Sequence, residues 1–171
     1  MKKIIVLLVM AVMAFGVELT VDKRASSIGF ETTKMFFVGV DGSFSDFSGT
    51  ITVEGGKVTA INGLVAVLSL DTDNEKRDDH LLSSDFFHEV AFKSIVFRST
   101  EVTDDTVVAD ITIKDITKTV TFAMEKIDVS DSGAKVKLTA VVDRTEFDID
   151  NNFMSMIIFN NIDITSTLIA K

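Results

Sequence analysis

Between Val17 and Ala170 the chain is a succession of short segments in which apolar and polar residues alternate, and this period of two commits most of it to β-strands. The predicted strands are Val17 to Asp22, Ser26 to Thr33, Phe36 to Phe44, Phe47 to Glu54, Val58 to Leu70, Ser94 to Thr103, Thr106 to Lys114, Thr117 to Val129, Ala134 to Thr145 and Phe159 to Ala170. Turn chemistry separates them at Glu54-Gly55-Gly56-Lys57, Asp104-Asp105, Lys114-Asp115-Ile116 and Ser130-Asp131-Ser132-Gly133. Gly39 and Gly42 mark bends or bulges, and Glu146 to Ile158 is irregular. The pattern predicts an all-β antiparallel barrel or sandwich. A barrel wide enough to hold a ligand needs about eight strands, a number within reach of this chain.

One stretch breaks the pattern. Ser69 to Phe87 is a charged excursion ending in paired phenylalanines, and a connection of that length inside an all-β chain is usually functional. Asp71 to Asn74 supplies N-cap chemistry, Glu75 suits the first turn, and Asp73 and Arg77 stand four apart, so a helix of about two turns is predicted. Ser83-Ser84-Asp85 can cap a second helical turn. Leu81, Phe86, Phe87, Val90 and Phe92 then give the excursion an apolar side that belongs against the barrel. It reads as a lid over the barrel mouth.

The segment Val58 to Leu70 is apolar on both faces, with Leu64, Ala66, Leu68 and Leu70 on one and Val65 and Val67 on the other. A half-buried antiparallel strand has no need of that, so a helix, a ligand or a partner subunit is expected to cover the second face.

The 171 residues fit one domain with a real core. Residues 1–16 stand apart: Met1-Lys2-Lys3 is a positive n-region, Ile4 to Phe15 is uninterrupted and apolar, and Ala14-Phe15-Gly16 offers small residues for cleavage. The run is too short to span a bilayer, so it reads as a secretory signal peptide followed by a domain over 17–171 with no membrane span. Loss of Lys2 and Lys3 makes the formal charge of −9 two units more negative. That acidity argues against nucleic acid and against anionic lipid surfaces. Cysteine is absent, which removes thiol chemistry, and the aromatic set is 14 Phe with no Tyr or Trp. Such rings can line a dry space without needing hydrogen-bond partners.

The residues make no case for an enzyme. His80 and His88 lack zinc-site spacing, and no G-x-S-x-G, phosphate loop or dinucleotide fingerprint occurs. Asp71, Asp73 and Glu75 imitate the start of a calcium loop, but Lys76 and Leu82 stand where glycine and glutamate are required; Asp148, Asp150 and Asn152 fail likewise at Phe153. No metal and no cofactor are expected.

Several motifs together carry a resemblance. Ser26-Ser-Ile-Gly-Phe, Gly42-Ser-Phe, Phe47-Ser-Gly, the run from Leu68 through Asp71-Thr-Asp-Asn-Glu-Lys-Arg-Asp-Asp-His-Leu to Asp85-Phe-Phe, Ile95-Val-Phe-Arg-Ser, and Asp110-Ile-Thr-Ile-Lys-Asp-Ile-Thr-Lys-Thr-Val strongly resemble the YceI-like family over nearly the whole mature chain. The resemblance implies export to the periplasm and a lipocalin-like barrel of about eight strands. It also implies an interior that binds polyisoprenoids or similar long apolar chains, and it makes a homodimer reasonable. The chain departs from the family at Lys34, where a histidine is usual, at Lys93 and Thr119 in place of prolines, and at Ala109, Asp115 and Asp148 in place of glycines; Asp143 replaces the asparagine before Arg144.

The expected ligand is thus a polyisoprenoid, an isoprenoid quinone or a fatty-acid-like lipid. The candidate wall is Phe30, Phe36, Val38, Phe44, Val65, Val67, Phe97, Ile111, Phe122 and Phe159, with Leu81, Phe86, Phe87 and Phe92 as the lid. Asp71, Asp73, Arg77 and Asp78 are the expected structural lock, with Arg77 paired to a carboxylate in bidentate fashion. An anionic head group on Arg77 is the competing role. The alternative from another class is an interaction or scaffold protein that uses the second apolar face of Val58 to Leu70 for dimerisation or partner binding.

Overall fold

The computed structural model describes residues 16–34, 38–149 and 160–171; residues 1–15, with most of the expected signal peptide, lie outside them. The described residues form eleven strands and one α-helix. In chain order these are β1 (Val17–Thr20), β2 (Ser27–Lys34), β3 (Val38–Phe44), β4 (Phe47–Glu54), β5 (Lys57–Ala66), β6 (Leu70–Asp71), α1 (Glu75–Leu82), β7 (Ser94–Val102), β8 (Thr106–Ile113), β9 (Ile116–Ser130), β10 (Gly133–Asp143) and β11 (Asn161–Ala170). Two turns of 3-10 helix, Val67–Ser69 and Arg144–Phe147, interrupt the strands.

All strands join one antiparallel sheet in the order β1-β4-β5-β7-β8-β9-β10-β11-β2-β3-β6. The sheet curls into a half-barrel because its short outer strands stitch back. The end of β1 bridges β4 and β11: Val21 N–H donates to Gly49 O at 2.9 Å, while Thr20 and Lys171 exchange backbone hydrogen bonds of 2.9 and 3.0 Å and Val21 bridges Ala170. At the other edge β6 pairs with the end of β3, and Ser45 N–H donates to Ser69 O at 3.2 Å. Without the short stitches β1 and β6, nine of the eleven strands remain, close to the expected count of about eight.

Alternation places one residue in two inside. On β10 this sends Ala134, Val136, Leu138 and Val142 inward, and on β11 Ile162, Ile164, Ser166, Leu168 and Ala170. One end of the interior is packed solid by Ile51, Val53, Val58, Val107, Met124 and Val136, all buried. The predicted long strand Val58 to Leu70 ends at Ala66. The 3-10 turn then rotates the chain, so that Val67 is buried, Leu68 exposed and Leu70 buried again.

Candidate functional site

Away from the solid end the same strands enclose a hollow of about 460 Å³. Its wall takes Ile28 and Phe30 from β2, Phe47 and Gly49 from β4, Ile61, Gly63 and Val65 from β5, Ile95 and Phe97 from β7, Ile111 and Ile113 from β8, Phe122 from β9, Leu138 and Val142 from β10 and Ile162, Ile164 and Leu168 from β11. Val40 and Phe44 of β3, and Phe147 and Ile149 beyond β10, complete it. Two local features make the room. Gly49 and Gly63 are register partners, and both belong to the inward-facing row of their strands. A Cβ on Gly49 would stand 2.5 Å from Asn62 O, so the wall there is backbone alone. At Gly42 a Cβ would run into the Phe30 ring, which therefore lies flat along the sheet.

Helix α1 covers this space with Asn74, Lys76, Arg77, His80 and Leu81, followed by Phe86 and Phe87. Its start is built from side chains. Asp71 accepts from Asp73 N–H at 2.8 Å, which lets Asp73 take a left-handed backbone with φ 57°. Asn74, rather than the acids before it, is the N-cap, accepting from Arg77 N–H at 3.0 Å. Asp78 accepts from Thr72 N–H at 3.1 Å and from the Thr72 hydroxyl, while Arg77 Nε donates to Thr72 Oγ1 at 2.7 Å and Nη2 donates to Thr72 O. The lock is therefore a clamp of Arg77 and Asp78 on buried Thr72. Among the described residues Arg77 forms no ion pair with a carboxylate, and Asp73 is not its partner. Asp78 is engaged by Thr72 instead, and Asp73 lies before the helix rather than in it.

Ser83, Ser84 and Asp85 lead into successive turns rather than a second helix, with Phe87 N–H donating to Leu81 O at 3.0 Å and His88 N–H to Ser83 O at 2.8 Å. This route buries Phe86, whose ring meets His80 edge-on at 5.0 Å. Phe87 stands T-shaped to Phe44 at 6.4 Å, and Phe44 in turn packs on Phe30 at 5.7 Å. The lid is thus continuous with the wall through aromatic contacts.

A second excursion closes the wall beyond β10. Asp143 caps the turn Arg144–Phe147, accepting from Thr145 N–H at 2.9 Å and from the Thr145 hydroxyl at 2.6 Å. These two bonds hold the Asp143 carboxyl below its ordinary pKa. Arg144, only 6% exposed, lines the hollow and donates from Nη1 to Ile149 O at 2.6 Å and from Nη2 to Asn160 Oδ1 at 3.3 Å.

Of the residues expected in the wall or lid, Phe30, Phe44, Val65, Leu81, Phe86, Phe87, Phe97, Ile111 and Phe122 line the hollow, and Arg77 joins them. Val67 does not, because the 3-10 turn aims it into the core. Phe92 does not either: it follows the left-handed His88 and lies against that imidazole at 5.8 Å. Phe36 and Phe159, and the side chain of Val38, lie outside the described residues. Most of the aliphatic lining, together with Arg144 and Ser166, was not on the expected wall, although the alternation along β10 and β11 carries the signal for it.

Comparison with known proteins agrees with this architecture. The YceI-like domain model matches residues 19–170. A UPF0312 protein of Staphylococcus aureus strain N315 is 33% identical over 141 residues, covering 78% of this chain and 82% of that protein. Among solved structures, BcnA of Burkholderia cenocepacia superposes with a TM-score of 0.79 at 19% identity, covering 88% of this chain and 99% of that one. A polyisoprenoid binding domain from Saccharophagus degradans, implicated in plant cell wall breakdown, gives 0.75 at 11% identity, covering 92% and 99%. The domain match spans nearly every described strand, and the chain belongs to the YceI-like family.

Proposed function

We propose that the protein is a non-enzymatic carrier that holds a long apolar ligand inside the half-barrel, exported to the periplasm by the segment 1–16. The hollow carries this reading. Its volume of about 460 Å³ lies within the roughly 300–1,000 Å³ typical of small-molecule sites, and its wall is mostly hydrocarbon, drawn from nine strands. Each methylene buried there contributes about 0.8 kcal/mol, against which the ligand's lost motion counts. A polyisoprenoid, an isoprenoid quinone or a fatty-acid-like lipid fits that chemistry, and the likeness to a polyisoprenoid binding domain favours the first. In this reading Arg77 and Asp78 fix the lid through Thr72, rather than holding a head group.

The test is gentle purification of the exported protein and mass spectrometry of its organic extract. A long-chain lipid in near-stoichiometric amount is expected. Protein that carries no lipid and takes up none when it is supplied would end the carrier reading.

One observation favours a second reading, an interaction protein. Leu64 of β5 and Val96 of β7 are register partners, 48% and 38% exposed, and Leu68 is 67% exposed. A lipid-free protein that is dimeric, and becomes monomeric on Leu64→Lys, would support it.

A further inference from the structure

The inward row of β11 runs Ile162, Ile164, Ser166 and Leu168, a hydrocarbon stripe broken by one hydroxyl. Ser166 is only 8% exposed. Its register partners on both sides are apolar, Leu138 on β10 and Ile28 on β2, and both also line the hollow. Among the described residues the Ser166 hydroxyl makes no hydrogen bond to protein, while every fully sealed side-chain N or O has a partner, so this hydroxyl opens on the hollow. Hydroxyls kept from water without a partner are costly, and an alanine would fit the same place without that cost. The other buried polar side chains that line the hollow are committed elsewhere: Thr32 donates to Asn161 O at 3.2 Å, and Arg144 donates to Ile149 O at 2.6 Å. Arg144 also follows Asp143, which pairs with Asn161, five positions along β11 from Ser166, or about 17 Å of strand.

We propose that Ser166 is a specificity-determining residue whose Oγ hydrogen-bonds an uncharged oxygen, a carbonyl or a hydroxyl, carried by the apolar ligand within the hollow. The inference rests on the carrier reading and names the ligand class it selects. An ionised group is disfavoured at this point, since Ile28, Leu138, Ile164 and Leu168 offer no solvation for charge. The ligand therefore places a neutral oxygen inside the barrel wall, alongside its hydrocarbon.

The test displaces a pyrene-labelled alkane from the exported protein with hexadecane, cetyl alcohol or methyl palmitate. One net hydrogen bond predicts that the alcohol and the ester bind up to about tenfold tighter than hexadecane. Ser166→Ala should abolish that preference and bind hexadecane at least as tightly as the wild type, since no hydroxyl is then left unpaired against the alkane, and Ser166→Thr should keep the preference. A preference that survives Ser166→Ala, or three ligands that displace equally from the wild-type protein, would overturn the assignment and leave the carrier reading standing. A protein that takes up neither the labelled alkane nor any of the three would overturn both.

Discussion

The two ends of the barrel interior are made by the same strands from the same kinds of residue, yet one is solid and the other hollow. On β4, Ile51 and Val53 belong to the packed end and Phe47 and Gly49 to the hollow; on β8, Val107 and Ala109 contrast with Ile111 and Ile113; on β10, Ala134 and Val136 contrast with Leu138 and Val142. Hydrophobicity therefore does not distinguish them. The difference is geometric. The paired glycines remove side chains from the hollow wall, Phe30 is laid flat over Gly42, and the cover is a helix and turns held off by polar contacts at Thr72 and Ile149 rather than driven into the space. A tightly packed end gives the fold its stability, and that frees the other end to leave space.

The largest expected effect tests the solid end. Ile51→Ala should cost about 3 kcal/mol in chemical denaturation, because the residue is fully buried and its neighbours cannot collapse around the loss. Ligand affinity of the folded variant should be unchanged. Added bulk should separate the two ends next. Val136→Phe overpacks the solid end and should cost about 2 kcal/mol, whereas Ile164→Phe enters the hollow, should cost under about 1 kcal/mol, and should lower ligand affinity at least about tenfold. Equal destabilisation by the two would erase the distinction.

The covering elements come third. Arg77→Ala removes two hydrogen bonds to Thr72 and should cost about 1.5 kcal/mol, with affinity for an uncharged lipid retained in the folded protein. Loss of selectivity for charged lipids instead would assign Arg77 to a head group. The smallest effect is at the second excursion. Asp143→Ala removes the cap of Arg144–Phe147 and should cost about 1 kcal/mol at neutral pH. Because the folded pKa is lowered by the Thr145 hydroxyl and N–H, this contribution is complete above the ordinary carboxylate value of about 3.9 and fades as pH falls through the lowered one. Denaturation of wild type and variant across that range should converge. Asn74→Ala, which removes an uncharged cap, should show no such convergence.

Period-two alternation made the strands legible to within a few residues, and the inward row of β11 could be read directly from Ile162, Ile164, Ser166 and Leu168. The crossover helix followed from its N-cap residues, whereas the Asp73–Arg77 spacing did not carry it, since Asp73 lies before the helix. Three things were not legible. Nothing local announces that Val67 leaves the strand for a 3-10 turn, since its neighbours Val65 and Leu68 continue an apolar run. The clamp on Thr72 depends on a hydroxyl and a backbone carbonyl, which charge pairing along a helix does not reveal. The third was the balance between aromatic and aliphatic lining, because alternation marks a face without saying whether that face meets other side chains or empty space. Asp148 shows the opposite case: the resemblance implied a glycine at this position, and the left-handed φ of 53° there is a conformation that favours glycine.

The central claim is that the hollow, not the outer face, receives the hydrocarbon. Isotope-filtered NMR of the methyl-labelled protein loaded with a long-chain lipid tests it most directly. Contacts between chain protons and the methyls of Ile28, Ile61, Leu138 and Ile164 are predicted; contacts confined to Leu68 and Val96 would contradict it.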